Sequence, residues 1–278
     1  MVIEFPIKEK IPQHSNYNVH YNYVLSLLKS AGCKIRLVSA SCFDNYSSLC
    51  FEIKVDGKLV AIDLSDHKGL NVPDDKIKKY VAIFKFHYIE SLHGKYKNIY
   101  PFSPVNFQNW QTYATAVSKV AYKAKGLITC KQIARAAALE RRNYVQGLLL
   151  KTYDKMFDKT IEPEIDFLMK INKTLVSICV PGARNDMLDR GQGQYFALGC
   201  CTISPKLVTV LSYNREIIPG THYVECKPDY SDLIEKIEWV RKNPELAIQI
   251  GQNAKKLFNE TSLPVKQVEW IKNCIYKI

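Results

Sequence analysis

Several features that mark common protein classes are missing from this chain of 278 residues. No apolar run approaches the ~18 residues that a transmembrane helix requires, and the opening residues MVIEFPIKEK lack the apolar core of a signal peptide. The nine cysteines include no CxxC pair, so neither a zinc site nor a disulfide framework is indicated. We therefore expect a reduced, cytoplasmic protein and predict no metal-ligating residues, while dependence on a metal ion stays open.

Three nucleotide-binding and catalytic motifs are missing as well. The sequence contains no GxxxxGK[ST] loop, no GxGxxG after its first predicted strand and no HExxH pair. Each of these spacings serves a particular chemistry, namely phosphate cradling, dinucleotide binding and zinc ligation. Their absence argues against a P-loop ATPase, a typical dehydrogenase and a zinc protease.

Positive charge, by contrast, is abundant and concentrated in one segment. The formal net charge is +12, and residues 119–160 contain ten lysines and arginines against three acidic residues. A basic segment of that density predicts an anionic partner, such as a diphosphate, a nucleic acid or a membrane surface. The alternative is a solvated helix face without a partner.

The spacing of apolar residues predicts a small α/β domain over residues 1–103. A helix at 17–31 precedes a strand at 34–39, and residues 50–63 form a hairpin with Asp-Gly at its turn. Another strand is expected at 80–86. Prolines then interrupt all periodicity, which is typical of a linker.

A second α/β domain is predicted over residues 104–278. Its strands are expected at 126–130, 174–180, 200–203 and 223–226, and its helices at about 133–153, at about 161–171 and in three segments after 229. This alternation is typical of half of a doubly wound parallel sheet. The last helix, which follows Ser262, is a candidate to pack back on the first domain.

The segment from Val176 to Pro205 carries the most informative pattern. It begins as an apolar strand, breaks at Pro181-Gly182, crosses a polar loop and passes Gly191-Gln192-Gly193 into a helix and a second strand. In open α/β sheets, ligands bind beyond the carboxyl ends of the strands, and helix N-termini receive anions. We expect this loop to present amide and guanidinium groups to an anion.

This order of elements resembles the donor-binding half of GT-B glycosyltransferases, in which two Rossmann-like domains face a cleft for a nucleotide-diphosphate sugar. The resemblance is carried by DRGQGQYFALG at 189–199 and the strand CCTIS, and is supported by PGTHYV at 219–224 and DYSDLIEKI at 229–237. Group 1, capsule-associated and protein O-glucosyltransferases are the most similar branches. The match covers residues 126–260, whereas the first hundred residues resemble the family only in layout.

The resemblance implies an α/β fold of two Rossmann-like domains facing a cleft, with a small N-terminal domain. It also implies transfer of a sugar from a nucleotide-diphosphate sugar to a hydroxyl acceptor, with UDP-glucose as the expected donor. Retaining members usually carry glutamates where this chain has Gln194 and Cys201. This departure argues against a retaining mechanism of that type.

The donor diphosphate is expected to bind arginines and backbone amides, because a planar guanidinium suits paired phosphate oxygens. The resemblance adds a cation after the strand ending at Cys130 and a histidine after Pro219-Gly220. The predicted donor-binding residues are Arg135, Arg184, Arg190, Gly191, Gln192, Gly193, Gln194 and His222. The alternative for the loop arginines is pairing with Asp186 and Asp189, and for the histidine a structural role.

A general base is expected in the first domain, because the acceptor hydroxyl loses a proton during transfer. Asp66 and His67 follow a strand end, so they are the catalytic candidates. The alternatives are a turn cap for Asp66 and a merely exposed ring for His67. Four acceptor-side candidates complete the set: Lys85, His87, Arg141 and Arg142. Alternatively, Lys85 is an edge residue and the two arginines lie on a solvated helix face.

The acceptor and the function itself keep open alternatives. The basic segment 119–160 favours a polyanionic acceptor, for example a hydroxymethylated pyrimidine base in DNA. A polysaccharide, a lipid-linked sugar and a protein side chain are competing acceptors. Two alternatives without turnover are a nucleic-acid-binding α/β protein and a nucleotide-binding regulatory module.

Overall fold

The computed structural model describes residues 1–7, 15–47, 49–103, 110, 113–114, 126–130, 139–158, 163–182 and 184–277. The chain divides into two compact units. Unit 1 comprises Met1–Pro104, Val210–Arg215 and Thr261–Ile278, and unit 2 comprises Val105–Thr209 and Glu216–Glu260. The domain boundaries predicted from the sequence, 1–103 and 104–278, stay a prediction, because compactness does not show that a segment folds independently.

Unit 1 is built on a mixed sheet with three parallel and three antiparallel strand pairs among its described residues. Its strands run in the order β2-β1-β4-β5-β6-β7, with β3 beside β4, and only the β1–β4, β3–β4 and β4–β5 pairs are antiparallel. The bounds are β1 Val2–Pro6, β2 Lys34–Val38, β3 Asn45–Ser47, β4 Cys50–Val55, β5 Lys58–Asp63, β6 Ala82–Lys85 and β7 Ile99–Pro101. The carboxyl ends of β5, β6 and β7 therefore lie side by side at one edge.

The predicted hairpin in unit 1 is confirmed. Strands β4 and β5 pair from Val55↔Lys58 to Cys50↔Asp63. Asp56 and Gly57 at the turn have φ values of 47° and 80°. Two-residue hairpins favour turns with positive φ at both central residues, and Asp-Gly adopts them readily.

The described residues of unit 1 form the α-helices α1 Ser15–Ser30, α2 Glu90–His93 and, from the end of the chain, α8 Pro264–Tyr276. Helix α8 packs against α1. Its Trp270 donates a hydrogen bond from Nε1 to the carbonyl of Pro101 at 2.8 Å. The helix at 17–31 and the last helix were thus predicted within a few residues of their observed bounds.

Unit 2 contains a five-stranded sheet that is parallel throughout, in the order β14-β11-β10-β8-β9. Its strands are β8 Leu127–Thr129, β9 Phe157–Asp158, β10 Thr174–Ile178, β11 Cys201–Pro205 and β14 Val224–Cys226. Its helices are α3 Leu139–Tyr153, α4 Glu164–Ile171, α5 Arg190–Ala197, α6 Leu233–Lys242 and α7 Pro244–Thr261. A separate two-stranded sheet pairs β12 Val210–Leu211 with β13 Arg215–Glu216, and all of its residues except Glu216 belong to unit 1. The predicted α/β class with parallel strands is confirmed.

The core of unit 2 lies where its helices cover the sheet. Strand β10 is buried along its whole length, and Val176 and Ile178 pack with residues of α6 and α7 such as Ile237 and Ala247. Parallel strands covered on both faces form continuous apolar runs, which is why these strands were recognisable in the sequence. Among the described residues, no helix is long and apolar enough to cross a bilayer.

Strand β1 was not predicted, although it lies inside the sheet of unit 1 between β2 and β4. Its five residues VIEFP contain a glutamate and end on a proline, and the short segment shows no clean alternation. Its place became visible only through its pairing with Lys34–Val38.

Candidate functional site

A buried ionic cluster lies at the carboxyl edge of the sheet in unit 1. Asp63 and Lys85 are the last residues of β5 and β6 and stand opposite each other in the parallel ladder. Both are fully buried, and Lys85 Nζ lies 3.4 Å from Asp63 Oδ1. The same ammonium donates to Ser65 Oγ at 2.7 Å and to the Ser65 carbonyl at 3.2 Å. We call Asp63, Ser65, Asn71 and Lys85 the Asp63–Lys85 cluster.

The two buried charges of this cluster compensate each other. Burial lowers the pKa of Lys85, and the carboxylate of Asp63 opposes that shift most strongly, with Asp66 contributing in the same direction. An unpaired charge at such a place would cost several kcal/mol. The ammonium and the carboxylate thus stay buried because each has a partner.

The loop of residues 64–72 is tied to the sheet by this cluster. The Asp63 carboxylate accepts the backbone N–H of Ser65 at 3.0 Å, the backbone N–H of Asn71 at 2.9 Å and Asn71 Nδ2 at 3.1 Å. His93 adds an anchor, because its Nε2 lies 2.8 Å from the carbonyl of Lys68. The loop presents Asp66, which is half-buried, and His67, which is exposed.

The structure corrects the predicted roles of Lys85 and His87. Lys85 is neither an edge residue nor a surface cation, because β6 lies between β5 and β7 and the side chain is fully buried. His87 is also buried, and its ring lies 4.2 Å from that of Phe86. A direct contact with an acceptor, as predicted for both, does not fit these positions.

A second cluster of charge lies at the carboxyl edge of the parallel sheet in unit 2. Arg142 of α3 is buried and donates from Nε and Nη2 to the carbonyl of Val180, at 3.2 Å each. Arg141 is half-buried and donates from Nη2 to the carbonyl of Gly182 at 2.9 Å. Among the described residues, no hydrogen-bond partner is found for its buried Nε atom. Two guanidinium groups thus meet the chain just after β10.

The alternative of a solvated helix face does not fit Arg142, whereas Arg141 is half-buried. Arg142 is 2% exposed, so it is not available to an acceptor in solution. Its donors satisfy the backbone carbonyl of Val180, which lies just after the strand ends. The burial of Arg142 was not predicted, because the sequence of α3 alone does not reveal which face of the helix meets residues 180–182.

The two glycines predicted to shape a loop lie inside helix α5 instead. Asp189 is the N-cap residue of α5, and its Oδ1 accepts the N–H of Gly191 at 2.7 Å. The N–H of Gly193 reaches the carbonyl of Asp189 at 3.3 Å, which is the first intrahelical bond. An anion at the Gly191 amide would have to displace the Asp189 carboxylate, so the prediction that this amide receives a diphosphate does not fit the structure.

Gln192 and Gln194 of helix α5 differ in how deeply they are buried. Gln192 is fully buried, and its Nε2 donates to Thr202 Oγ1 and Ser204 Oγ at 3.2 Å each. Gln194 is half-buried. Gln192 therefore joins α5 to β11, and its predicted contact with a donor does not fit this inward orientation.

The other predicted donor residues have mixed outcomes. Arg184 is exposed and forms a bidentate pair with Asp186, at 3.1 and 3.3 Å, which is the alternative weighed for it. His222 is buried and accepts the Ile218 N–H at Nδ1 at 2.9 Å, as a structural histidine does. Arg135 and the side chain of Arg190 lie outside the described part of the structure, so their roles stay predictions.

Sequence reasoning missed Tyr230, which links the loops at the carboxyl edge of unit 2. Its hydroxyl lies 3.1 Å from the Cys179 carbonyl and 3.0 Å from Asn185 Oδ1. Burial raises the pKa of Tyr230, so the hydroxyl stays protonated and can donate. The residue has a φ of 59°, an unusual value for a non-glycine residue, and only the Asp-Tyr-Ser pattern before α6 pointed to it.

A pocket of about 440 Å³ lies elsewhere in unit 2, beside the edge strand β14. Helices α6 and α7 form its walls, and none of the sequence-predicted site residues that the structure describes borders it. Its lining residues are Gly220, Val224, Glu225, Glu235, Lys236, Trp239, Leu246, Gln249, Ile250 and Asn253. Within the described residues, no group of histidine, cysteine and carboxylate side chains is arranged to hold a metal ion.

The nine cysteines are all free. Burial raises the pKa of Cys200 to about 12 and that of Cys226 to about 12. These thiols are therefore protonated and unreactive near neutral pH. The interpretation of the strand cysteines as small apolar residues agrees with their burial.

Comparisons with known proteins support the fold more than the sequence family. No family model matches the chain. A stretch of 89 residues, 30% of this chain, is 30% identical to the uncharacterized protein 179R of Invertebrate iridescent virus 6, and covers only 8% of that protein. The structure is similar to a glycosyltransferase from Rickettsia africae ESF-5, with a TM-score of 0.53 and 12% identity over 98% of this chain and 84% of that chain. At this identity the likeness concerns the α/β fold.

Proposed function

We propose that the protein is a glycosyltransferase that moves a sugar from a nucleotide-diphosphate sugar to a hydroxyl acceptor, and that its two units form a GT-B-type enzyme. The likeness to a glycosyltransferase fold over 98% of the chain supports the proposal. The observation that carries it is the pair of guanidinium groups, Arg141 and Arg142, where β10 ends at the carboxyl edge of a parallel sheet. Ligands of open α/β sheets bind at this edge.

Arg141 is the residue that we assign to the donor diphosphate. Its Nη2 is held by the Gly182 carbonyl, while no described residue receives its Nε–H. A fixed guanidinium with a donor left over is suited to a phosphate oxygen and to the charge that develops on a leaving diphosphate. Arg142 holds the same segment in place through its hydrogen bonds to the Val180 carbonyl. We propose UDP-glucose as the donor.

Asp66 is the residue that we assign as general base. The acceptor oxygen would form a bond to the anomeric carbon while its proton passes to the Asp66 carboxylate and the bond to the nucleoside diphosphate breaks. The half-buried position of Asp66, on a loop tied down by the Asp63–Lys85 cluster, supports this role. His67, the exposed neighbour, is a second candidate for the same proton.

The acceptor that we propose is a hydroxymethylated pyrimidine base in DNA. The net charge of +12 and the basic segment 119–160 support a polyanionic acceptor. An enzyme that modifies a paired base must also turn that base out of the stack. A polysaccharide, a lipid-linked sugar or a protein acceptor would share the donor chemistry and differ only in this step.

The donor is tested by thermal denaturation of the full chain with UDP, UDP-glucose and GDP-sugars, together with release of UDP from UDP-glucose. A ligand at about 100 times its Kd adds ~2.7 kcal/mol to the free energy of unfolding. We expect Arg141→Met to weaken UDP-glucose binding about tenfold or more, since it removes charge-assisted hydrogen bonds. We expect Asp66→Asn to keep binding and lower UDP release by about 100-fold.

Arg241→Met is the matched control for the arginine variant. Arg241 also belongs to unit 2, but it pairs with Glu238 on α6, so its loss should leave donor binding unchanged. Stabilisation by none of the nucleotides, with no UDP released, would overturn the proposal. Binding of DNA under those conditions would favour the non-catalytic nucleic-acid-binding alternative, for which the net charge is the supporting observation.

A further inference from the structure

We propose that Asp63 and Lys85 are positioning residues, which hold the 64–72 loop so that Asp66 keeps the orientation needed to accept a proton. This inference rests on the proposed function, because it concerns the residue assigned as general base. Neither side chain reaches the surface, since both are fully buried. Their effect must therefore pass through the loop.

The first step of the argument is the closed shape that Asp63 imposes on the loop. Its carboxylate accepts the N–H of Ser65 near the beginning of the loop and the N–H and Nδ2 of Asn71 near its end. A single side chain thus binds both ends of the segment that carries Asp66. Three hydrogen bonds to one carboxylate restrict the loop far more than its backbone alone would.

The second step is the contact that Lys85 makes with the residue immediately before Asp66. The ammonium donates both to the Ser65 hydroxyl and to the Ser65 carbonyl, at 2.7 and 3.2 Å. That carbonyl belongs to the peptide group that leads into Asp66. Lys85 thereby fixes the plane of this peptide, which sets the direction in which the next side chain leaves the backbone.

The third step concerns why a buried ion pair is found here. A well-packed apolar pair of similar volume is often as stabilising as a buried salt bridge, or more so. Asp63 and Lys85 are both fully buried, a position that an apolar pair could also occupy. What an apolar pair cannot supply is the set of directional bonds to the loop.

The positive charge of Lys85 also interacts with the carboxylate of Asp66. The carboxylates of Asp63 and of Asp66 both act to raise the pKa of Lys85 against the effect of burial. The ammonium is therefore close enough to Asp66 for their charges to interact. Removal of Lys85 would alter both the orientation and the electrostatic surroundings of the proposed base.

The test combines kinetics with hydrogen exchange on the full chain. The double variant Asp63→Asn/Lys85→Met removes both charges together, so no unpaired buried charge remains. With UDP-glucose as the probe, and at temperatures well below the melting point of each variant, we expect kcat for UDP release to fall about tenfold or more. We expect KM for UDP-glucose to change less than about twofold. The amides of Ser65 and Asn71 should exchange faster.

Ser65→Ala provides a milder variant that keeps both charges. It removes only the hydroxyl that accepts from Lys85, so folding should be retained even where the double variant fails to fold. We expect a smaller fall in kcat, again with KM nearly unchanged. If the double variant does not fold, the kcat of Ser65→Ala alone tests whether the loop is positioned by this cluster.

Glu52→Gln is the matched control. Glu52 is a buried carboxylate of the same unit that also ties down a loop, through the N–H of Asp44 at 2.8 Å and through Lys79 at 2.9 Å. That loop does not carry Asp66, so the variant should lose stability and keep kcat. The inference would be overturned if Ser65→Ala, and the double variant where it folds, kept the wild-type kcat. A wild-type chain that releases UDP from no nucleotide sugar would instead overturn the proposed function, whatever the exchange rates show.

Discussion

His93, a buried histidine of unit 1, illustrates how a single side chain is held in one protonation state. His93 accepts the N–H of Ile89 at Nδ1, at 2.9 Å, and its Nε2 lies 2.8 Å from the carbonyl of Lys68. Both bonds form together only when the ring is neutral with its proton on Nε2. Burial is the main cause that lowers the pKa of His93, and the nearby charge of Lys85 acts in the same direction.

This arrangement predicts a loss of stability at acidic pH. The pKa of His93 is lowered in the folded chain from its ordinary 6.5, so the unfolded chain binds the proton first as the pH falls. Stability from this group is present above about pH 6.5 and declines as the pH falls below it. His93→Gln keeps an acceptor and a donor without titrating. We expect urea denaturation to show a smaller loss of stability for this variant between about pH 7.5 and about pH 5.5.

The comparison with the wild type decides this prediction. An unfolding free energy that falls equally with pH in the two proteins would show that His93 does not contribute. The groups facing the ring are the charges of Lys85 and Asp63 and the aromatic ring of Tyr88, whose centroid lies 5.2 Å away. None of them is changed by the substitution, so a difference would be assigned to His93.

At the scale of elements, helix α7 is seated closely on the turn between α5 and β11. Gly199 at that turn has a φ of 68°, which permits the helix to end and the strand to begin. Gly251 of α7 lies against this turn, and a Cβ atom there would collide with the carbonyl of Gly199 and come within 3.0 Å of the Cys201 nitrogen. The close approach of helix and turn therefore requires glycine.

Gly251→Ala is expected to destabilise the protein by about 1–3 kcal/mol, because backbone atoms cannot move aside as a flexible side chain can. Gly147→Ala is the matched control in helix α3, where a Cβ atom would meet nothing within 4 Å. There the substitution should stabilise by about 0.5–1 kcal/mol through helix propensity. Thermal denaturation measures both variants, and effects of the same sign would contradict the packing argument.

For the whole molecule, the excess of positive charge is the property with the widest consequence. The formal net charge is +12. The electrostatic field of a strongly basic protein attracts polyanions whatever their sequence, and dissolved salt screens this field. The proposed binding of DNA should therefore depend strongly on ionic strength.

We expect the affinity for duplex DNA to fall by roughly 100-fold between about 50 and 200 mM salt if about four phosphates are contacted. Fluorescence anisotropy with labelled duplex measures this slope. Lys151→Glu/Lys155→Glu reverses two exposed charges of the basic segment and should weaken binding. Lys95→Glu/Lys97→Glu makes the same change of net charge on exposed residues outside that segment. A flat salt response, or equal effects of the two double variants, would remove the DNA acceptor from the proposal.

Much of the secondary structure could be predicted because its causes are local. The Asp56-Gly57 turn, the buried apolar strand β10 and the stripe of the last helix are each encoded within a few neighbouring residues. Strand β1 could not be predicted in this way, since its place depends on pairing with two distant segments. The start of α5 was misplaced because the competition between loop glycines and an Asp189 cap is settled by three-dimensional fit.

The sequence by itself determined the α/β class, the order of most elements and the residue types available for anion binding and proton transfer, because hydrophobic periodicity and turn chemistry act over short distances. Only the tertiary structure decided where those side chains point. Strand register set Asp63 against Lys85, and helix rotation turned Gln192 inward and Arg142 onto Val180. Register and rotation depend on the packing of segments far apart in the chain, so no local pattern could specify them.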